Sequence, residues 1–392
     1  MNSLELLSAL LRCELIGEEL SDEYIEKITA TTLAEVYSIA NTHDAAHMIA
    51  EAAIKYGTAS CAMTKGDDIY RSFIKVQEMA YFRHKRHNTA VHEISGVLEK
   101  YKIEYVLLKG SVTKEYYPEK WMRLGGDIDI LVREEQLFSA VDAIALELGY
   151  TTDGIKGFHD MSLFSDDGVH LELHYNVMEN MPALDKMLSR AWEFCTGGEG
   201  YRRYMTPEFF ILHIVCHMAY HFVGGGCGIK PFSDLMLIRK NTEYNEDILT
   251  PMLAECGLVD FYKNALKLVD VWFYGAEHSA LTRDMESHVL LAGITRGVDK
   301  TVAAEQTRRG GRLGYILSRI FMPYNQLKIR YPRLSGKPIL TPVYWVRRFI
   351  RFVFGSKKRA RHELQATKKI GRDDMKRVTS FFDSVGLSGC TK

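Results

Sequence analysis

Two aspartates one residue apart, Asp127 and Asp129, open the apolar run Ile128-Asp129-Ile130-Leu131-Val132. On a strand, side chains two apart face the same side, so both carboxylates project together while Ile128 and Ile130 face a core. Paired hard oxygen ligands are what divalent cations require, and two such ions stabilise the attacking and leaving oxygens of phosphoryl or nucleotidyl transfer. Two aspartates on a solvent-facing strand edge would be spelled the same way, so their context decides.

That context begins upstream. Leu108-Lys109-Gly110-Ser111 lies between an apolar run and a helix-compatible segment, where backbone N–H groups can meet a phosphate chain and Gly110 allows close approach. Lys109, and behind it Arg123, are candidates to neutralise donor phosphates. Downstream, Val169 to His174 alternates, placing His170, Glu172 and His174 on one face, with Glu172 a candidate third carboxylate. His213, His217 and His221 are spaced four apart along one helical face. With only Asp234 nearby across a glycine loop, this stripe reads as packing near a cleft rather than as a zinc site.

The elements that must position these groups alternate in type. From Leu4 to about Leu98 the pattern is helical, with capping-box spacing at Thr32 and Glu35 and a segment from His43 closing at Gly57. Val91, Ile94, Val97 and Leu98 share a face. Strands are expected at 103–108 and 127–132, a helix at 134–148 closed by Gly149, and a hairpin from 161–164 and 169–175 around Asp166-Asp167-Gly168. Helices return at 209–222, 232–239 and 251–305. The expected architecture is α+β: a helical N-terminal region at 1–89, a small catalytic sheet at 90–180, a helical half at 181–305 that closes the cleft, and a basic, proline-containing linker with an amphipathic helical tail at 306–392.

Composition bounds the rest. The chain has 392 residues, 46% hydrophobic and 26% charged, which is ordinary for a globular protein with well-buried cores. The first twenty residues lack a basic start and an unbroken apolar run, and no window approaches the roughly 18 apolar residues of a membrane span. The cytoplasm is the expected compartment. Seven scattered cysteines fit free thiols better than disulfides or zinc. The net charge of zero hides an asymmetry, because residues 306–370 hold seventeen Lys and Arg against Glu363 alone. Within that stretch, Tyr344 to Phe354 interleaves apolar groups with Arg347, Arg348 and Arg351, followed by Lys357-Lys358-Arg359 and Arg361. An interfacial helix on anionic lipid, stacking on nucleic acid and an ordinary helix with a solvated basic face all fit this pattern.

Taken in order, Leu108-Lys109-Gly110-Ser111, Tyr117-Pro118, Arg123, Gly126-Asp127-Ile128-Asp129-Ile130-Leu131-Val132 and Leu171-Glu172-Leu173-His174 resemble the nucleotidyltransferase fold of the DNA polymerase beta-like superfamily. More narrowly the chain resembles a bacterial family of uncharacterised nucleotidyltransferases, over roughly residues 90–240. The resemblance implies that Asp127 and Asp129 bind Mg2+, two ions in all, that Glu172 completes the metal site and can help deprotonate an acceptor, and that Gly110 and Ser111 hold the triphosphate, with Lys109 and Arg123 as the flanking cations. It also puts the helix of His217 and His221, and Asp234 after it, over the cleft, which makes these three and His174 substrate-side candidates. The fifteen residues between Ser111 and Asp127 exceed the superfamily's usual gap, and Glu172 stands where Asp is common.

The expected activity is transfer of a nucleoside monophosphate, with ATP among the candidate donors, from a nucleoside triphosphate to a hydroxyl with release of pyrophosphate. A small-molecule acceptor is favoured over a protein, and nucleic acid is not the expected partner. Protein adenylylation of the antitoxin type and a non-catalytic nucleotide-binding scaffold are the competing expectations. The basic helix adds an expected peripheral contact at the inner face of the membrane.

Overall fold

Apolar side chains recurring at helical spacing organise the helix Asp68–Lys100, whose Ala90, Val91, Ile94, Val97 and Leu98 are buried. A computed structural model describes residues 2–224, 226–292, 337–354 and 372–390, with scattered positions between 321 and 334. In it the long helix packs, together with the helix Leu137–Leu148, on one face of a seven-stranded sheet. The strands are β1 (Tyr105–Leu107), β2 (Ile128–Val132), β3 (Thr151–Thr152), β4 (Asp160–Phe164), β5 (His170–His174), β6 (Cys195–Gly197) and β7 (Arg202–Met205), in the order β3-β4-β5-β2-β1-β7-β6. The fold is a mixed α+β architecture, as the alternation of periods predicts.

The centre of the sheet is β2, antiparallel to β1 and parallel to β5. Ile128, Ile130 and Val132 enter the core beneath the long helix, so Asp129 and Leu131 are turned to the opposite face. The expected hairpin is β4–β5, closed at Gly168 with φ +82°, and Gly149 caps its helix at φ +72°. Strands β3, β6 and β7 lie outside the expected set, being two to four residues long and poor in apolar alternation.

A second core unites helices from both ends of the chain. It runs from Leu6 and Leu10 of the helix Ser3–Ile16, through Phe209 and Phe222 of the helix Pro207–Val223, to Phe261 and Trp272 of the helix Val259–Tyr274. The C-terminal helix Arg372–Val385 returns to the same core through Phe382 and Val385, followed by Leu387 and Cys390.

Two details of the helical region differ from expectation. The helix beginning at Ala30 is capped one turn earlier than the Thr32/Glu35 spacing suggests: Thr29 accepts from the Thr32 N–H and Thr32 answers at the Thr29 N–H, while Glu35 accepts from Ser3. Gly57 does not end its helix, which spans Ala50–Ala59. A Cβ at Gly57 would sit 2.8 Å from Leu33, so close packing explains this glycine.

The cysteines are free thiols. Among the described residues no helix is long and apolar enough to cross a membrane. The helix Thr341–Phe354 forms where the arginine-aromatic pattern predicts it. The expected helix at 293–305 and the basic cluster Lys357 to Arg361 lie outside the described residues.

Gly386, at φ +89°, lets the C-terminal segment turn back onto the core, and a Cβ there would approach the Phe261 backbone nitrogen to 2.5 Å. Gly386→Ala is expected to lower the midpoint of urea unfolding, with a loss of more than about 1 kcal/mol from the positive φ alone.

Candidate active site

Strand register brings the carboxylates together. Asp129 lies directly beside Glu172 on the parallel pair β2–β5, both on the sheet face away from the long helix, and Asp127 immediately precedes β2. Ligand atoms of Asp129, Glu172 and His174 lie within 4.8 Å of one another, as do those of Asp127, His170 and Glu172.

The charges of this cluster are partly offset from within. Lys109 Nζ lies 2.9 Å from Asp129 Oδ1, and His174 Nε2 lies 2.9 Å from the same oxygen and 3.5 Å from Glu172 Oε2. Burial acts against a charged His174, but the hydrogen bonds to Asp129 and Glu172 outweigh it and lift the imidazole to about 9. Burial likewise raises the Asp129 carboxyl, yet Lys109 and His174 hold it well below the usual carboxylate range. The hydrogen bond from His174 lowers Glu172.

Asp127 is the exception. Burial and then the charges of Asp129 and Glu172 raise its carboxyl, and among the described residues nothing donates a hydrogen bond to it. A half-buried carboxylate with two carboxylate neighbours and no hydrogen-bond donor, offset only by the more distant charge of Lys109 and by His170, is a site of negative potential. Divalent cations with oxygen ligands fit it, and Asp127, Asp129 and Glu172 would hold them.

Lys109 enters the cluster through an unusual backbone. At φ +41°, ψ −121°, it occupies a region that costs a non-glycine residue about 1–3 kcal/mol. Its carbonyl accepts from the Val112 and Thr113 N–H groups at 2.9 and 2.8 Å, starting the short helix Gly110–Thr113. Burial disfavours its charge, but Asp129 and Glu179 together raise it above the ordinary lysine range.

The loop leading into Asp127 is clamped from the helical side. Arg123 makes a two-pronged pair with Asp234, Nε to Oδ1 at 2.7 Å and Nη2 to Oδ2 at 2.8 Å, and Tyr117 donates to Oδ1 at 2.8 Å. Arg123 also holds the Leu124 carbonyl, as does Lys230 at 3.0 Å, while Arg83 takes that of Gly125 at 3.2 Å. Lys230 and Arg83 both meet Asp44. Burial lowers Lys230 to about 8 in spite of that partner.

These groups surround one cavity of about 670 Å³. Lys109, Gly110, Arg123, Asp127, Asp129, Glu172, His174, His217, His221 and Asp234 all line it. Ser111 lies on the other side of the turn, in a small cleft with His84, His87 and Lys114, and His170 turns to Ser162 at 3.2 Å. The guanidinium of Arg123, expected to face phosphate, is engaged by Asp234 and Leu124. Glu179, Lys230, Asp44, His213 and His159, which stacks on His174 at 5.2 Å between ring centres, also line it. Sequence reasoning missed Glu179, Lys230, Asp44 and His159 because each sits in or beside a loop, where no periodicity points a side chain anywhere.

Strand-borne carboxylates in register beside a Lys-Gly turn are the arrangement that the resemblance to nucleotidyltransferases implies. A family model described as "Uncharacterised nucleotidyltransferase" matches residues 29–274, and the chain belongs to that family. No curated protein and no solved structure matches it.

The Arg123–Asp234 pair is nearly inaccessible, at 12% and 3% exposure, so removing one partner strands a buried charge. Asp234→Ala is expected to cost about 3–5 kcal/mol in denaturant unfolding. The double variant Arg123→Met/Asp234→Leu is expected to recover much of it.

Proposed function

We propose that the protein transfers a nucleoside monophosphate from a nucleoside triphosphate to a hydroxyl of a small-molecule acceptor, releasing pyrophosphate, in a magnesium-dependent reaction. The observation that carries this reading is the Asp129–Glu172 register pair beside Asp127, whose ligand oxygen lies within 4.8 Å of the ligand atoms of Glu172 and His170. Asp127, Asp129 and Glu172 are the proposed metal ligands. Bound Mg2+ would supply charge stabilisation of the attacking and leaving oxygens.

The chain's own residues do the remaining work. Lys109 holds Asp129 in place and carries a permanent positive charge to the edge of the phosphate site. Gly110, against which Arg123 Nη1 would lie 3.4 Å from any Cβ, keeps the turn open for close approach. Arg123, Asp234 and Tyr117 position the loop rather than compete for phosphate. Ser111 reaches the donor only from the side of its small cleft. Residues 90–180 are the proposed catalytic unit, its sheet extended by β6 and β7, and the helices Pro207–Val223 and Lys230–Asn241 supply another wall of the cavity. The acceptor occupies the histidine-lined side, where His174, His217 and His221 offer hydrogen bonds.

The proposed compartment is the cytoplasm, with a peripheral lipid contact. The supporting feature is the exposed apolar set Ile339, Val343 and Val346 beside Arg347. Sedimentation with vesicles containing phosphatidylserine, lost on Val343→Glu/Val346→Glu, is the expected result.

Calorimetric titration of each nucleoside triphosphate with Mg2+, paired with a pyrophosphate assay, tests the central reading. Wild type is expected to bind one or more triphosphates only with metal, and Asp127→Asn/Asp129→Asn to lose that binding. Binding without turnover for any acceptor would favour a scaffold. Label transferred from nucleotide to protein rather than to a small molecule would favour protein adenylylation.

Lys109→Met removes a cation that offsets Asp129. Turnover is expected to fall by about 100-fold, the range lost when a positioned electrostatic partner is removed.

A further inference from the structure

On the cavity wall opposite the strand carboxylates, Glu179 Oε1 lies 2.7 Å from His217 Nδ1, and His217 Nε2 lies 3.0 Å from His221 Nε2. Glu179 is 6% exposed, and its backbone N–H is fixed by Asp185 Oδ1 at 2.9 Å. One turn earlier on the same helix, His213 also lines the cavity and is 1% exposed, and its Nδ1 has no hydrogen-bond partner among the described residues. The ligand atoms of Glu179, His217 and His221 do not form a metal-holding group among the described residues. Their arrangement is a chain from a buried anion to the cavity.

A buried carboxylate accepting from Nδ1 fixes the tautomer of His217, so that proton exchange falls to Nε2. In the resting pair His221 Nε2–H donates to His217 Nε2, so the acceptor hydroxyl takes over that accepting nitrogen by displacing His221, and Glu179 stabilises the imidazolium formed when His217 Nε2 receives the proton. Burial pushes the Glu179 carboxyl up, but His217 and then Lys109 hold it down at about 2, so the anion persists throughout. Glu172 is less suited to this work, being hydrogen-bonded by His174 and assigned to metal.

We propose that the Glu179–His217–His221 chain is the general base for the acceptor hydroxyl, an inference that rests on the transferase reading above. The acceptor oxygen forms a bond to the donor's α-phosphorus as the α–β phosphoanhydride bond breaks. Pyrophosphate departs with the electron pair, the hydroxyl proton passes to His217 Nε2, and the resulting imidazolium loses it to solvent through His221. His217 and His221 are the catalytic residues of this step, and Glu179 is a positioning residue.

The test uses the full chain with Mg2+, each α-labelled nucleoside triphosphate, and glycerol in large excess as the hydroxyl probe. His217→Ala is expected to lower kcat by about 100-fold or more, with triphosphate KM and calorimetric affinity unchanged, and added imidazole is expected to restore part of the turnover. Glu179→Gln, which keeps an acceptor for Nδ1 but removes the charge, is expected to lower kcat without changing KM. Turnover within about threefold of wild type in His217→Ala, loss of triphosphate binding in that variant, or absence of imidazole rescue would each overturn the relay while leaving the transferase reading intact. No turnover in wild type with any triphosphate would sink the transferase reading, and the relay with it.

Discussion

Placing Asp129 and Glu172 side by side on parallel strands creates a repulsion that the rest of the site is built to contain. At a few ångströms and outside bulk water, like charges cost several kcal/mol, and Asp127 adds a third. The protein meets two of the three charges internally: Lys109 and His174 converge on one oxygen of Asp129, and His174 also faces Glu172. The remainder falls on Asp127. A cluster left short of one positive partner in its own fold has room for a cation from outside, which is what the proposed metal-assisted reaction requires.

Holding that geometry requires both halves of the molecule. The sheet supplies β2 and β5, but the loop before Asp127 is fixed by groups from elsewhere: Asp234 and Lys230 from the helix Lys230–Asn241, Arg83 from the long helix, and Asp44 from the N-terminal region. Each takes up a backbone carbonyl or a charge that would otherwise be unsatisfied within the cleft. The N-terminal and C-terminal helices share one core, so these clamps move with a common body. Packing energy in that core is thereby converted into the position of a single aspartate.

Much of this was legible in the sequence wherever a period existed to be read. The two-residue alternation of Ile128-Asp129-Ile130 and of Leu171-Glu172-Leu173 specified which side chains share a face, and the structure pairs those residues in register. The four-residue spacing of His213, His217 and His221 likewise placed them on one cavity wall. Groups whose direction depends on tertiary contact were not legible. Arg123 has the charge of a phosphate ligand, but a partner 111 positions away holds its guanidinium. Glu179 follows β5 in an irregular segment, and only the packing of the histidine helix against that segment reveals it as the partner of His217. Gly57 illustrates the same limit: its sequence position suits a helix end, and its actual constraint is the Leu33 side chain.

The cavity's two walls are therefore chemically unlike, and the difference follows from their secondary structure. A strand pair concentrates carboxylates in register, giving one wall a localised negative charge suited to cations and, with Lys109, to the phosphates those cations carry. A helix distributes polar groups one turn apart, giving the other wall a line of imidazoles backed by a single buried acid. The proposed reaction, joining a polyanionic donor to a neutral hydroxyl, needs both: a place where negative charge is neutralised and a place where a proton can be received. Both sets of groups line one cavity of about 670 Å³, the carboxylates carried by the sheet and the imidazoles by the helix, so the packing of helix against sheet gives the two proposed tasks different carriers.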